Sequence, residues 1–139
     1  MRALVLVAAS VWLLLAPAAL AGGGGSAPKA EADPESASRI DMPPLVAPLV
    51  IEGRLKGYVY VTLSIQAGAV SDVWAIRNRT PFVQDAFIRD VYAHPISAPT
   101  ADAIDTKALA ERLAARARAA VPDTPIKDVK VSAVHIVGP

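Results

Sequence analysis

The longest run of two-residue alternation in the chain extends from Arg54 to Ala67. One alternate set is apolar and the other is amphipathic: Val59, Val61, Leu63 and Ile65 against Tyr58, Tyr60, Thr62, Ser64 and Gln66. Because successive side chains of a strand leave opposite faces, the pattern predicts a central strand with one face in a core. We expect Val61 and Leu63 to lie in that core.

The segment before this strand is apolar but carries Pro43, Pro44 and Pro48. Proline has no N–H to donate, so a strand containing it belongs at a sheet edge. We predict an edge strand or extended arm, mainly over residues 45–51. A turn at 52–54 should return it as a hairpin onto the central strand, with a bulge near Gly57.

After Gly68 the apolar spacing changes from two to three or four, which indicates helix. Val70, Val73, Trp74 and Arg77 share the first predicted helical face. The second predicted face is an apolar stripe of Val83, Phe87 and Val91, widened by Ile88 and Tyr92. Thr80-Pro81 has the form of an N-cap followed by proline at the first helical position. The pattern predicts either one helix over about 71–92 kinked at Pro81, which we favour, or two short helices.

The last third of the chain contains a helix pattern and then a strand pattern. A helix capped by Asp105 or Thr106 should run to about residue 120, with an apolar stripe of Leu109, Leu113 and Ala117. The β-branched segment 126–137 should form a closing strand with a bulge near Ser132. The predicted fold is therefore a small two-layer α+β domain with the order strand, strand, kinked helix, helix, strand.

The N-terminal region predicts export. Residues 1–21 combine one positive charge, an apolar run and the small-residue motif Ala19-Leu20-Ala21, which is typical of a signal peptide. The alternative is an uncleaved inner-membrane anchor facing the periplasm, and Pro17 favours cleavage because it ends the helix before the motif. Residues 22–40 are rich in Gly, Ala, Ser and Pro and predict a disordered linker, which leaves 41–139 for a single periplasmic domain.

Composition excludes several classes of site. The net charge is +1 and there is no cysteine, so the sequence predicts no nucleic-acid binding, no disulfide and no thiolate metal site. The two histidines, His94 and His135, are not accompanied by a metal-binding or catalytic motif. We therefore predict no enzyme activity, no cofactor and no metal.

Candidate contact residues fall in two places. The most concentrated basic spot, Arg77 and Arg79, directly precedes Pro81 and Phe82, and a helix break there would expose an aromatic side chain beside cationic groups. The second candidate is the tyrosine pair Tyr58 and Tyr60, opposite the valines of the central strand. Five aromatic residues are the large anchors of the predicted domain: Trp74, Phe82, Phe87, Tyr58 and Tyr60. We expect most of these five to lie in the core.

The order of these segments resembles the flagellar basal-body-associated FliL family over about residues 45–137. The resemblance is carried by the apolar strand at 45–51, the run Tyr58 to Leu63, the proline-started segment Pro81 to Ile88, the Leu109/Leu113 helix and the closing strand. It implies a stomatin-like periplasmic domain and a non-enzymatic accessory protein that contacts an envelope protein. We expect the protein to contact a membrane only if the signal peptide is not cleaved. The alternative is a module that binds a small ligand or an envelope lipid.

Overall fold

The computed structural model describes residues 33–138, which lie within one compact unit. The predicted signal peptide and most of the predicted linker lie outside the described residues. The described part has a four-stranded antiparallel sheet with its longer helices packed on one face, so the predicted α+β class is confirmed.

The central strand is β3 (Arg54–Ala67), as the alternation predicts. On one edge, β2 (Leu45–Ile51) pairs with its N-terminal half and the short β1 (Arg39–Asp41) pairs with residues 64–66. On the other edge, β4 (Ile126–Val137) pairs along residues 58–67. Pro43 and Pro44 separate β1 from β2, so the prolines interrupt an outer edge, where a missing N–H costs least.

The β2–β3 hairpin has the predicted turn and bulge. Glu52 and Gly53 both have positive φ, 52° and 72°, which is the conformation of a type I′ turn that matches the twist of the two strands. The register shifts beyond Leu49, opposite Gly57, whose φ is 147°. A Cβ at Gly57 would collide with the carbonyl oxygen of Val137, so glycine there allows the end of β4 to approach β3 closely.

Within residues 33–138, four α-helices accompany the sheet: α1 (Pro34–Ala37), α2 (Val73–Asn78), α3 (Thr80–Ala93) and α4 (Thr106–Ala120). The predicted helical region over 71–92 therefore forms two helices, separated at Arg79, instead of the single kinked helix that we favoured. Pro81 lies in the first turn of α3, where its missing N–H breaks no helical hydrogen bond. Asp105 caps α4 as predicted, because its Oδ1 accepts a 2.9 Å hydrogen bond from the N–H of Ala108.

The core lies between the sheet and the helices. Val61 and Leu63 are buried as predicted. The predicted helical stripes are also confirmed for Val83, Phe87 and Val91, and for Leu109, Leu113 and Ala117. Aliphatic side chains from both layers thus form one contiguous apolar cluster.

Two predicted helix faces are wrong in part. In α2 the fully buried residue is Ile76, whereas Val70 before the helix and Trp74 within it are exposed. In α3, Ile88 and Tyr92 are exposed, so the buried stripe is narrower than predicted. The six-residue α2 spans fewer than two turns, which is too short for apolar spacing alone to show which side faces the core.

Regular secondary structure begins before residue 41, where the predicted domain starts. Helix α1 and strand β1 lie in the last part of the segment whose composition predicts a linker. Gln66 Nε2 donates to the carbonyl oxygen of Glu35 at 3.0 Å and to Ser38 Oγ at 2.5 Å, and Lys130 forms an ion pair with Glu35. These polar contacts bind α1 to the sheet face opposite the core.

Candidate partner-binding surface

The junction between α2 and α3 is a surface of exposed aromatic and cationic side chains. Trp74 is 72% exposed and Phe82 is 59% exposed. Arg77, Arg79 and Pro81 are exposed as well. We call these five residues the junction surface. It combines Trp, Phe and Arg, which are residue types enriched in protein interfaces.

Local chain geometry produces this exposure. Arg79 lies between the two helices with φ −102° and ψ 1°, and its N–H donates to the carbonyl oxygen of Ile76 at 2.9 Å. The guanidinium carbon of Arg79 lies 5.3 Å from the centroid of the Phe82 ring, within the range of a cation–π interaction. The contact holds the charge and the ring together in a defined arrangement on the surface.

The junction surface carries the charges of Arg77 and Arg79, and the acidic residue Asp123 lines a recess beside Arg79. Among residues 33–138, neither Arg77 nor Arg79 forms an ion pair. The nearby Asp72 is engaged locally, since its Oδ2 accepts from the N–H of Ala69 at 2.9 Å. A recess of about 130 Å³ beside Arg79 is also lined by Ala75 and residues 121–124. In the part of the chain that the structure describes, the surface therefore offers two cations without an ion-pair partner and a shallow recess.

The expectation that most of the large aromatics belong to the core is wrong. Of the five, only Phe87 is fully buried, while Trp74, Phe82, Tyr58 and Tyr60 are exposed by 42% or more. The core is filled instead by aliphatic residues of β3, α3 and α4. An exposed Trp and Phe on one junction are thus available to a partner.

Tyr58 and Tyr60 do not join the junction surface. They project from the face of β3 opposite Val59 and Val61, whose side chains are buried against the helices. Tyr58 is paired with Pro48 and Val137, and Tyr60 with Val46 and His135. The six predicted contact residues therefore divide between two surfaces on opposite sides of the sheet.

A buried ion cluster between α3 and α4 was not predicted. The Asp90 side chain is completely buried, and its two oxygens accept from Arg112 Nε at 2.5 Å and from Arg116 Nε at 2.9 Å. The sequence contains a signal for this cluster. Asp90 lies at i+7 from Val83 and i+3 from Phe87, on the face of α3 that carries the apolar stripe, and the two arginines lie one turn apart on the next helix.

The surroundings of Asp90 favour its ionised form. Burial acts to raise the pKa of this carboxyl group, but hydrogen bonds from Arg116 and Arg112 and the charges of both arginines outweigh burial and lower it below 3.8. Arg112 also donates to the carbonyl oxygen of His94 at 3.3 Å, so it satisfies part of the C-terminal end of α3. The cluster joins two helices and caps one of them.

A cleft of about 330 Å³ adjoins this cluster. It is lined by Ala86, Arg89, Asp90, Ala93, His94 and Arg116. Arg89 forms an ion pair with Asp85 at 2.9 Å. The cleft is a candidate site for the alternative function, the binding of a small ligand or an envelope lipid.

Within residues 33–138, no group of three or more His, Asp or Glu side chains could hold a metal ion. His94 Nδ1 lies 3.2 Å from the carbonyl oxygen of Asp90, and His135 is exposed on β4. The helices of this part of the chain are each too short or too polar to cross a membrane.

No protein-family model matches the sequence, and no curated protein matches it. The FliL resemblance therefore stays a prediction.

Proposed function

We propose that this protein is a non-enzymatic, exported accessory protein that binds another protein of the cell envelope, as the resemblance to FliL implies. The observation that carries the proposal is the junction surface. Two large aromatic side chains and two arginines without an ion-pair partner in the described chain are exposed around one helix break. Burying these groups against a protein would gain apolar contact and use both charges.

The two kinds of residue have different roles in this proposal. Trp74 and Phe82 supply apolar area, and such aromatic anchors dominate the binding energy of protein interfaces. Arg77 and Arg79 steer an acidic partner toward the surface, so they mainly set the association rate and its salt dependence. The expected partner therefore presents carboxylates around an apolar recess.

Site-specific photo-cross-linking tests this surface. A photoreactive amino acid in place of Phe82 should give one discrete cross-linked species in cells that contain the partner. The matched control is the same amino acid in place of Lys107, an exposed residue on α4. Equal cross-linking at positions 82 and 107, or none at 82 in a folded protein, would contradict the proposal.

Export is the second part of the proposal, and it is supported by the Ala19-Leu20-Ala21 motif. We propose a periplasmic protein whose mature chain begins at Gly22, and N-terminal sequencing of the protein from a periplasmic fraction should find that residue. Recovery of Met1 in the inner-membrane fraction would instead show the anchored alternative.

The second candidate function is a module that binds a small ligand or an envelope lipid, and the cleft beside Arg116 favours it. Arg116 and Arg89 at its rim would suit a carboxylate or a phosphate group. Mass spectrometry of the protein under native conditions distinguishes the two functions. A retained small molecule that is lost in an Arg116→Gln variant would support the ligand-binding module, and a ligand-free protein would favour the protein-binding proposal.

A further inference from the structure

Strand β4 has one edge that no strand covers within residues 33–138. Its other edge pairs with β3 along almost its full length. An uncovered edge presents a row of backbone N–H and C=O groups that can accept a further strand. Folded proteins usually protect such edges with charges, bulges or covering elements, so the protection along β4 is informative.

Among the described residues, the groups that protect the free edge of β4 lie along the first part of the strand. Arg118 donates to the carbonyl oxygens of Ile126 and Lys127, at 3.1 and 2.6 Å, and Lys127 and Lys130 add charges to this part of the strand. From Val131 to Val137 there is no Asp, Glu, Lys or Arg. From Ala133 to Val137 the strand has neither a charged side chain nor a bulge, so this part of its edge lacks these barriers to pairing.

We propose that this edge pairs with the same edge of a second copy of the chain, in antiparallel orientation around a two-fold axis at His135. This inference goes beyond the proposed function and uses different residues. Main-chain hydrogen bonds between the two β4 edges would hold the two copies together and would join their sheets into one continuous sheet.

The regular length of the strand determines the register. Ser132 is an extra residue in β4, because Thr62 pairs with Ala133 while Leu63 pairs with Val131. Regular pairing therefore extends from Ala133 to Val137, and the midpoint of that segment is His135. A shift of the axis to a neighbouring residue would carry the pairing into the bulge or beyond the end of the strand.

This register matches the side chains on both faces. Residues directly opposite in an antiparallel pair lie on the same face, so His135 meets its counterpart, Ala133 meets Val137 and Val134 meets Ile136 of the second copy. Val134 and Ile136 are only partly buried and Val137 is 50% exposed, so all three would gain cover. No like-charged residues meet when histidine is neutral. Five facing residues provide about four to six backbone hydrogen bonds.

Single cysteines test the register, since the chain contains none of its own. In purified full-length protein carrying His135→Cys, the two Cα atoms would lie about 4.5–5.5 Å apart, within disulfide range. In Ala133→Cys or Val137→Cys, like residues would lie about 13 Å apart. We expect oxidation to give a covalent dimer of the first variant, none of the other two alone, and a heterodimer when those two are mixed. Equal cross-linking of all three, or none at position 135, would overturn the proposal.

Charge on the axis gives a second test. His135→Lys places two like charges directly opposite each other, so the mass measured by sedimentation should fall twofold at a concentration where the wild-type chain is dimeric. Thr62→Lys is the control, because Thr62 is exposed on the same face but belongs to a strand that is paired on both edges. A wild-type chain that is monomeric at every concentration, or an equal loss of mass in both variants, would overturn the proposal.

Discussion

Two pairs of arginines in the helical layer have opposite surroundings. Arg112 and Arg116 on α4 both donate through Nε to the buried carboxylate of Asp90. Arg77 and Arg79, at the α2–α3 junction, form no ion pair within residues 33–138. The guanidinium group of Arg79 lies over the ring of Phe82. The same residue type is therefore fixed in one place and free in the other.

The two pairs of arginines are expected to have different roles, one in the stability of the fold and the other in binding a partner. A buried carboxylate between two cations fixes the relative position of two helices, and removing it would leave the cations without a partner. An exposed arginine contributes little to folding, but it keeps its donors available to another molecule. We therefore expect the first pair to affect the free energy of unfolding and the second pair to affect binding.

The largest expected effect follows from removing Asp90. Asp90→Ala leaves Arg112 and Arg116 without their shared acceptor and creates a small cavity, so the free energy of unfolding should fall by about 3 kcal/mol. Urea unfolding of the variant beside the wild-type protein measures it. Asp85→Ala is the control, because Asp85 is an exposed partner of Arg89. Similar losses in both variants would show that the buried cluster has no special weight.

The same carboxylate predicts an acid dependence of stability. The pKa of Asp90 is lowered in the folded protein, so its contribution is fully present above the unfolded value of about 3.9 and is lost as pH falls through the lower folded pKa. Unfolding midpoints from pH 6 down to pH 2 should therefore fall less steeply in Asp90→Asn than in the wild-type protein. Parallel curves would show that Asp90 does not titrate differently in the two states.

Much of the fold could be predicted from the sequence, because apolar residues at every second position of a strand, or every third or fourth position of a helix, indicate which face is buried. The alternation in β3 identified Val61 and Leu63 correctly, and the α3 and α4 stripes identified Phe87 and Leu113. Such patterns show which residues of one element share a face. They do not show which elements face each other.

For that reason the parts of the candidate site that depend on several elements were missed. Asp90 is an anomaly within an apolar stripe, but its partners are Arg112 and Arg116 on another helix, and only the packing of α3 against α4 brings them together. Trp74 was assigned to the core because it is large and apolar, although the short α2 buries Ile76. Arg77, Arg79 and Phe82 could be selected from the sequence, since local chain order alone makes them neighbours.

An intermediate effect is expected for one of the fixed arginines. Arg116→Ala leaves Asp90 bound to Arg112, and the Arg116 side chain is 50% exposed, so the loss should be about 1 kcal/mol. Lys107→Ala, on the exposed face of the same helix, controls for the change in charge. A loss as large as that of Asp90→Ala would mean that Arg112 alone cannot hold the carboxylate.

The smallest effect on stability is expected at the junction. Arg77→Ala with Arg79→Ala removes two exposed charges and one cation–π contact, which together should change the free energy of unfolding by less than about 1 kcal/mol. Thermal unfolding followed by circular dichroism checks this. A loss comparable to that of Asp90→Ala would remove the contrast between the two arginine pairs.

The most direct test of the proposed recognition role uses the partner that cross-linking at position 82 identifies. It measures how much of that partner is captured by a variant in which the charges of the junction surface are reversed. Arg77→Glu with Arg79→Glu should reduce capture and remove its salt dependence while the melting temperature stays near the wild-type value. Lys107→Glu with Lys127→Glu changes the net charge equally at exposed positions elsewhere, and it should leave capture intact. Unchanged capture by a folded Arg77→Glu, Arg79→Glu protein would contradict the account.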